Sequence, residues 1–297
     1  MAEARVLVAG AILRRRVLTM TSSAPGCRLA VESRDELGGA GALAALAAAE
    51  ARTDAPNAVT LVGRVGEDPA GHRCRADLDR PRLETALTWR GGTDELLVLD
   101  PSDGASELVW VQRDEGAHGA EVISGGAGAG PRPTDSRDEL EVSLEQLARC
   151  RPGDVLLLDA LALGRCRGLV QAAYDADVQV VLDLDPSFSV NHEEMALVDV
   201  AVVDGAGAIA IADAAWAPRS LAVHAGSLGV WWDEFRVEGA GVDEARDAEG
   251  GTENGVAGRA GRHHDAVHRF AGTLAAALAT GMDRPEAFDL AAQASRP

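Results

Sequence analysis

Four segments in the second half of the chain, residues 154–159, 179–184, 198–203 and 220–224, are apolar through most of their length. A strand that alternates apolar and polar side chains can leave one face in water. A strand apolar on both faces must be covered on both, which in practice means a parallel sheet between helices. Helical patterns occupy residues 140–149 and 164–176 in between. This alternation predicts an α/β fold with a mainly parallel central sheet. The first half follows the same grammar. Residues 5–9 read as a strand ending at Gly10, and the glycine-rich stretch 37–41 opens an Ala/Leu helix that runs to Ala51. Residues 58–62 read as a strand ending at Gly63. Asp68 followed by Pro69 suits a helix start. Residues 95–99 and 108–112, around a polar turn at 100–105, read instead as a β-hairpin.

Length and charge narrow the function classes. The chain has 297 residues and is 46% hydrophobic, enough for one large α/β domain spanning 1–297. It has no run of about 18 uncharged apolar residues, so no transmembrane helix is expected. Its first residues read as a strand rather than a secretory leader, which predicts a cytoplasmic protein. The formal net charge is -19, and every cation besides histidine is Arg. Such a surface repels nucleic acid and anionic membrane, so neither is expected as a partner. The Lys-free, acidic composition fits adaptation to high salt or a GC-rich genome. The four cysteines are widely spaced and form no CxxC pair, so they read as free thiols rather than metal ligands. Residues 124–138 read as a loose Gly/Pro/Ser loop. Residues 233–261 are acidic and Gly-rich, and read as a mobile or salt-solvated insertion.

Ligands of such sheets bind beyond the carboxyl ends of the strands. The motifs found there come in a fixed order. Gly10 ends the first strand. Gly38, Gly39 and Gly41 precede the Ala-rich helix. Gly63 and Gly66, with Asp68 and Gly71, follow the next strand. Asp183, Asp185 and Pro186 close the strand at 179–184. His224, Gly226 and Gly229 form a later turn, and Phe270 to Gly281 form a final Ala-rich helix. Taken together and in this order, they resemble the ribokinase-like (PfkB-type) carbohydrate kinases over most of the chain. The resemblance implies a three-layer α/β/α sandwich with a small β lid, formed here by residues 12–35 and 93–112. It also implies transfer of the γ-phosphate of ATP, with Mg²⁺, to a hydroxyl of a sugar or nucleoside.

The same resemblance points to residues that do not suit that chemistry. The family's G-A-G-D loop, two glycines and a carboxylate base before the last helix, aligns with Asp265, Ala266, Val267 and His268. Glycines there let backbone N–H groups converge on phosphate at a helix N-terminus. Asp265 would repel it, and His268 stands where the base is expected. The sugar-binding Asp aligns with Arg15. The Asn after the glycine run aligns with Leu43, beside Gly38, Gly39 and Gly41 of the substrate site. On the nucleotide side the aligned positions are Asp204, His224, Gly226 and Gly229, and the Glu that helps organise Mg²⁺ is replaced by Gly207. Asp185 replaces an Asn at the strand end.

Several readings follow. The first is a ribokinase-like protein with weak or no kinase activity and a retained ligand-binding or regulatory role, its cofactor left open. The second is an active sugar or sugar-phosphate kinase that uses His268 as base, Arg15 for an anionic acceptor, and ATP with Mg²⁺. The third is a structural partner that dimerises through the lid strands. Residues 239–243 form a displaced G-A-G-D-like string, but the glycines at 250–251 stop a helix from following. His264 and His268 share a helix face without a clear further ligand, so no metal site is assigned. Arg14, Arg15 and Arg16 read either as an anion site at the cleft or as a solvated turn. The string 125–130 is followed by Pro131 and Pro133, which excludes a dinucleotide-binding helix.

Overall fold

The computed structural model describes residues 4–24, 27–52, 58–101, 107–112, 121–124, 137–184, 193–212, 214–238 and 257–296. Within these, β1 (Val6–Ala9) leads to a hairpin, β2 (Leu13–Ala24) and β3 (Cys27–Gly38). Then come α1 (Ala40–Ala51), β4 (Val59–Val65), α2 (Pro69–Leu78), β5 (Leu83–Trp89), β6 (Glu95–Pro101), β7 (Glu107–Gln112) and β8 (Glu121–Ser124). The second half holds α3 (Arg137–Leu147), β9 (Val155–Asp159), α4 (Ala160–Arg165), α5 (Leu169–Asp175), β10 (Gln179–Leu184), β11 (Val200–Asp204) and α6 (Gly205–Ala212). It ends with β12 (Leu221–His224), β13 (Gly229–Trp232), β14 (Phe235–Glu238), α7 (Ala257–Ala279) and α8 (Arg284–Ala294).

The central sheet has the order β14-β13-β12-β11-β10-β9-β1-β4-β5. It is parallel from β12 to β5 and antiparallel at β13 and β14. Strand parity splits its core in two. Val6, Val8, Val155, Leu157 and Val181 face α1 and α7, while Leu7, Ala9, Leu156, Leu158 and Leu182 face α4 and α5. That is the double coverage the apolar strands require. A second sheet, in the order β3-β2-β6-β7-β8, stands beside the first. It contains the expected hairpin β6–β7 and both segments read as a lid, with β8 added. No helix among the described residues is long and apolar enough to cross a membrane.

A buried ion cluster ties the second sheet to the first. Asp94, just before β6, lies 3.4 Å from Arg64 of β4 and 3.5 Å from Arg165 of α4, and its carbonyl accepts from the Arg14 N–H of β2. Arg14 itself is paired with Asp35 and Asp77. It stands on a strand, so neither an anion site nor a solvated turn describes it.

Three expectations about elements are corrected. The helix read from Phe270 begins at Ala257 and ends at Ala279. Residues 164–176 form no single helix. The Asp159 side chain caps α4 at the Ala162 N–H, and Gly168, at φ 89°, takes the left-handed turn that restarts the chain as α5. The acidic segment 233–261 opens with a strand, β14, because Val230 and Trp232 of β13 offer Val237 and Phe235 an antiparallel edge. Its remainder to residue 256 lies outside the described residues, as do the strings 125–130 and 239–243, together with Asp185 and Pro186.

Helices α1 and α7 approach backbone to backbone. An added Cβ at Gly272 would lie 2.0 Å from the Ala44 carbonyl oxygen. A backbone atom cannot yield as a side-chain tip can, and overpacking of this kind costs about 3 kcal/mol. Gly272→Ala should lower stability by at least that amount in urea unfolding, whereas Gly205→Ala, where a Cβ meets nothing, should cost less than half as much.

Candidate functional site

The floor of the candidate site is a pair of carboxylates. Asp159 and Asp183 end β9 and β10 and are register partners, so their side chains leave the sheet on one face, toward α1 and α7. Asp159 is fully buried. Its Oδ2 accepts from the Ala11 N–H at 2.5 Å and its Oδ1 from the Ala162 N–H at 2.7 Å. Burial pushes its carboxyl up to about 6. The two N–H donors pull it down, and Asp183 and Glu139 add repulsion. Asp183 is 2% exposed. Its Oδ2 lies 2.6 Å from Nδ1 of His268, which therefore carries the proton on that nitrogen, and its Oδ1, sealed from the cavity, has no partner among the described residues.

The roof is an ion pair between the second sheet and α7. Arg15 of β2 grips Asp265 of α7 through both terminal nitrogens, at 2.5 and 2.7 Å, and its Nε donates to Glu36 at 2.9 Å. Such forked guanidinium–carboxylate pairs are the stronger charge-assisted hydrogen bonds. Below it, the walls include Leu13, Leu43, Leu96 and Leu161. The cavity is only about 70 Å³, well under the roughly 300–1,000 Å³ of a small-molecule pocket.

Arg15, Gly39, Leu43, Asp265 and His268 thus line one cleft. Gly38 and Gly41 flank it where β3 passes into α1. The nucleotide-side residues do not reach it. Asp204 caps α6 by accepting from the Gly207 N–H at 2.7 Å. His224 is buried, 3.2 Å from the Ser295 hydroxyl and edge-on to the Phe270 ring. Gly226 and Gly229 turn the chain between β12 and β13. The expectation of a helix N-terminus at Asp265 is also corrected. Asp265 is the ninth residue of α7 and His268 the twelfth. Their N–H groups lie inside the helix and bond one turn back, so they do not converge on an anion. Asp159 was missed by the sequence reading. The available signal was an acidic residue at the carboxyl end of an otherwise apolar strand, the same signal that marked Asp183. No cluster of His, Cys, Asp or Glu suited to a metal ion occurs among the described residues.

No protein-family model matches the chain, and no curated protein matches it in sequence. Solved structures do. The chain is similar to ribokinase from Giardia lamblia, with a TM-score of 0.67 and 15% identity over 99% of this chain and 90% of that one. It is similar to ribokinase from Thermotoga maritima, with a TM-score of 0.64 and 16% identity over 99% and 96%. It also resembles Arabidopsis thaliana ribokinase, solved with ribose and ATP, with a TM-score of 0.61 and 19% identity over 99% and 92%. The chain has the ribokinase-like α/β fold. A likeness at this identity is one of architecture, and activity must be argued from the site.

The raised Asp159 carboxyl has a consequence for stability. The folded protein takes up this proton before the unfolded chain does, so ionised Asp159 costs stability above pH 6. That cost is relieved as pH falls from about 6 toward the ordinary value of 3.8. Asp159→Asn should remove a pH-dependent contribution of about 2–3 kcal/mol over this window, read as a flatter curve of melting temperature against pH than that of the unaltered protein.

Proposed function

We propose that this chain is a ribokinase-fold protein that binds a small molecule in the cleft between its two sheets and does not transfer phosphate. The observation that carries this reading is the unbroken course of α7 through residues 265–268. Phosphoryl transfer depends on donors fixed around the transferring group. The backbone donors at these positions are committed to the helix, and a carboxylate, Asp265, stands in their place. The residues therefore do not fit the phosphates of ATP. The ion pair supports the same reading. Arg15 occupies the position of the family's sugar-binding carboxylate, Asp265 that of its first loop glycine, and the two hold each other.

A second reading, an active kinase with His268 as general base, draws support from one observation. Asp183 orients the His268 imidazole at 2.6 Å, the arrangement that fixes a tautomer for proton abstraction. Against it, Arg15 is already engaged by Glu36 and Asp265 and has no fork left for an anionic acceptor. Dimerisation through the second sheet draws on nothing further in the structure.

ADP formation from Mg-ATP, measured across sugars, sugar phosphates and nucleosides in high salt, should equal the protein-free control. His268→Asp, which puts a carboxylate at the base position, should leave that rate unchanged because the helix still withholds its N–H groups. Turnover by the unaltered protein, lost in His268→Ala, would establish the second reading instead.

A further inference from the structure

An end strand of a sheet offers unpaired N–H and C=O groups to any chain that can line up with it, and stable proteins protect such edges. Among the described residues the end strands are β3 and β8 of the second sheet and β5 and β14 of the central one. Three of these are protected. Strands β8 and β14 are four residues long, and β14 exposes Arg236 and Glu238. Strand β3 exposes Glu32, Arg34 and Asp35. Strand β5 has no such device. It runs for seven residues, Leu83–Trp89, with no Pro, no register shift and no charge between Glu84 and Arg90. Residues 85–89 are half-buried, and Thr and Trp among them favour strands.

The backbone shows which groups face outward. The Arg90 N–H bonds to the Val65 carbonyl of β4, so Arg90 and, by alternation, Thr88, Ala86 and Glu84 turn their backbone groups inward. Thr85, Leu87 and Trp89 turn theirs outward, and no described strand pairs with them. Helix α2 reaches Trp89 through His72, with ring centroids 5.1 Å apart, but does not close over the start of the strand. A cavity of about 290 Å³ lies there, lined by Leu83, Thr85 and the α2 residues Arg75 and Leu78.

Charge selects the occupant of this edge. If β5 meets a second β5 antiparallel about Leu87, Thr85 faces Trp89 and Glu84 faces Arg90, once on each side of the two-fold axis. If the axis shifts to Ala86, Arg90 faces Arg82 instead. Opposite charges directly across a strand pair stabilise it, and like charges destabilise it. Glu84 and Arg90 are both exposed. Within the chain Glu84 lies 4.0 Å from Arg5 and Arg90 lies 2.7 Å from Asp138, so the cross-strand pairs extend an alternating row of charges.

We propose that β5 is a dimerisation edge, through which two copies of this chain join antiparallel about Leu87 and make their central sheets continuous. A two-fold contact uses the edge of both copies, so the assembly closes as a dimer. The assignment is independent of the reading of the cleft.

The test is sedimentation velocity of the full chain over a range of protein concentrations in high salt, which screens the repulsion between two chains of net charge -19. The mass should rise from 30.8 kDa to twice that value. Leu87→Pro removes an outward N–H on an edge strand, where Pro is tolerated, and should hold the mass at that of the monomer. Glu84→Arg sets like charges opposite each other and should weaken dimerisation about tenfold. Adding Arg90→Glu to it should restore the dimer. These two exposed positions keep the proposal testable even where Leu87→Pro fails to fold. Amide exchange at Thr85, Leu87 and Trp89 should slow as the dimer forms. A monomer at every concentration, a dimer that survives Leu87→Pro, or a double variant no tighter than Glu84→Arg alone would overturn the assignment.

Discussion

The backbone hydrogen bonds of α7 decide what the rest of the cleft can do. A helix N–H bonded to the carbonyl one turn back has nothing to offer a ligand. In α7 that commitment covers residues 265–268, in the middle of a helix that begins at Ala257. The helix is also central to the core. Val267, Phe270, Ala271, Leu274 and Ala275 are all buried, and Gly272 lets the α1 backbone come close. Unwinding its first turns would expose backbone groups and loosen the packing around Phe270 and Phe288, whose rings meet edge to face. The structural role of this segment and the commitment of its N–H groups to the helix thus have one cause.

The Arg15–Asp265 pair follows from that arrangement. With the helix continuous, the Asp265 carboxylate projects toward β2, where Arg15 meets it. Both side chains are largely shielded, at 14% and 21% exposure, so each would be costly without the other. Glu36 holds the third face of the same guanidinium. The result joins the second sheet to α7 across the mouth of the cleft, while the Asp94 cluster fixes the base of that sheet to β4 and α4. Two charged anchors therefore hold the sheet at a setting that leaves little space beneath it.

Much of the fold was legible because parallel strands covered on both faces leave a strong apolar signature, as at 154–159 and 179–184. The hairpin at 95–112 and the Asp68–Pro69 helix start were legible from turn and cap chemistry. Three things were not. The first two turns of α7 lie in a polar, Gly- and His-containing stretch whose sequence has no apolar periodicity to announce a helix. The break at Gly168 depends on its left-handed backbone at φ 89°, which periodicity does not report. At the site, the motif order located Arg15, Leu43, Asp265 and His268 in one cleft, yet it could not show that Arg15 and Asp265 are each other's partners. Pairing across 250 residues is a property of the folded sheet arrangement. The same limit hid Asp159, which matters only because β9 and β10 are neighbours.

The central claim is that residues 265–268 are helix and remain so in the presence of nucleotide. Amide hydrogen exchange of peptides covering this segment, with and without Mg-ATP, tests it directly. The account predicts exchange as slow as that of the following turns of α7, unchanged by nucleotide. Fast exchange in the free protein, with protection appearing when Mg-ATP is added, would mean that the segment opens into an anion-binding loop, and would contradict it.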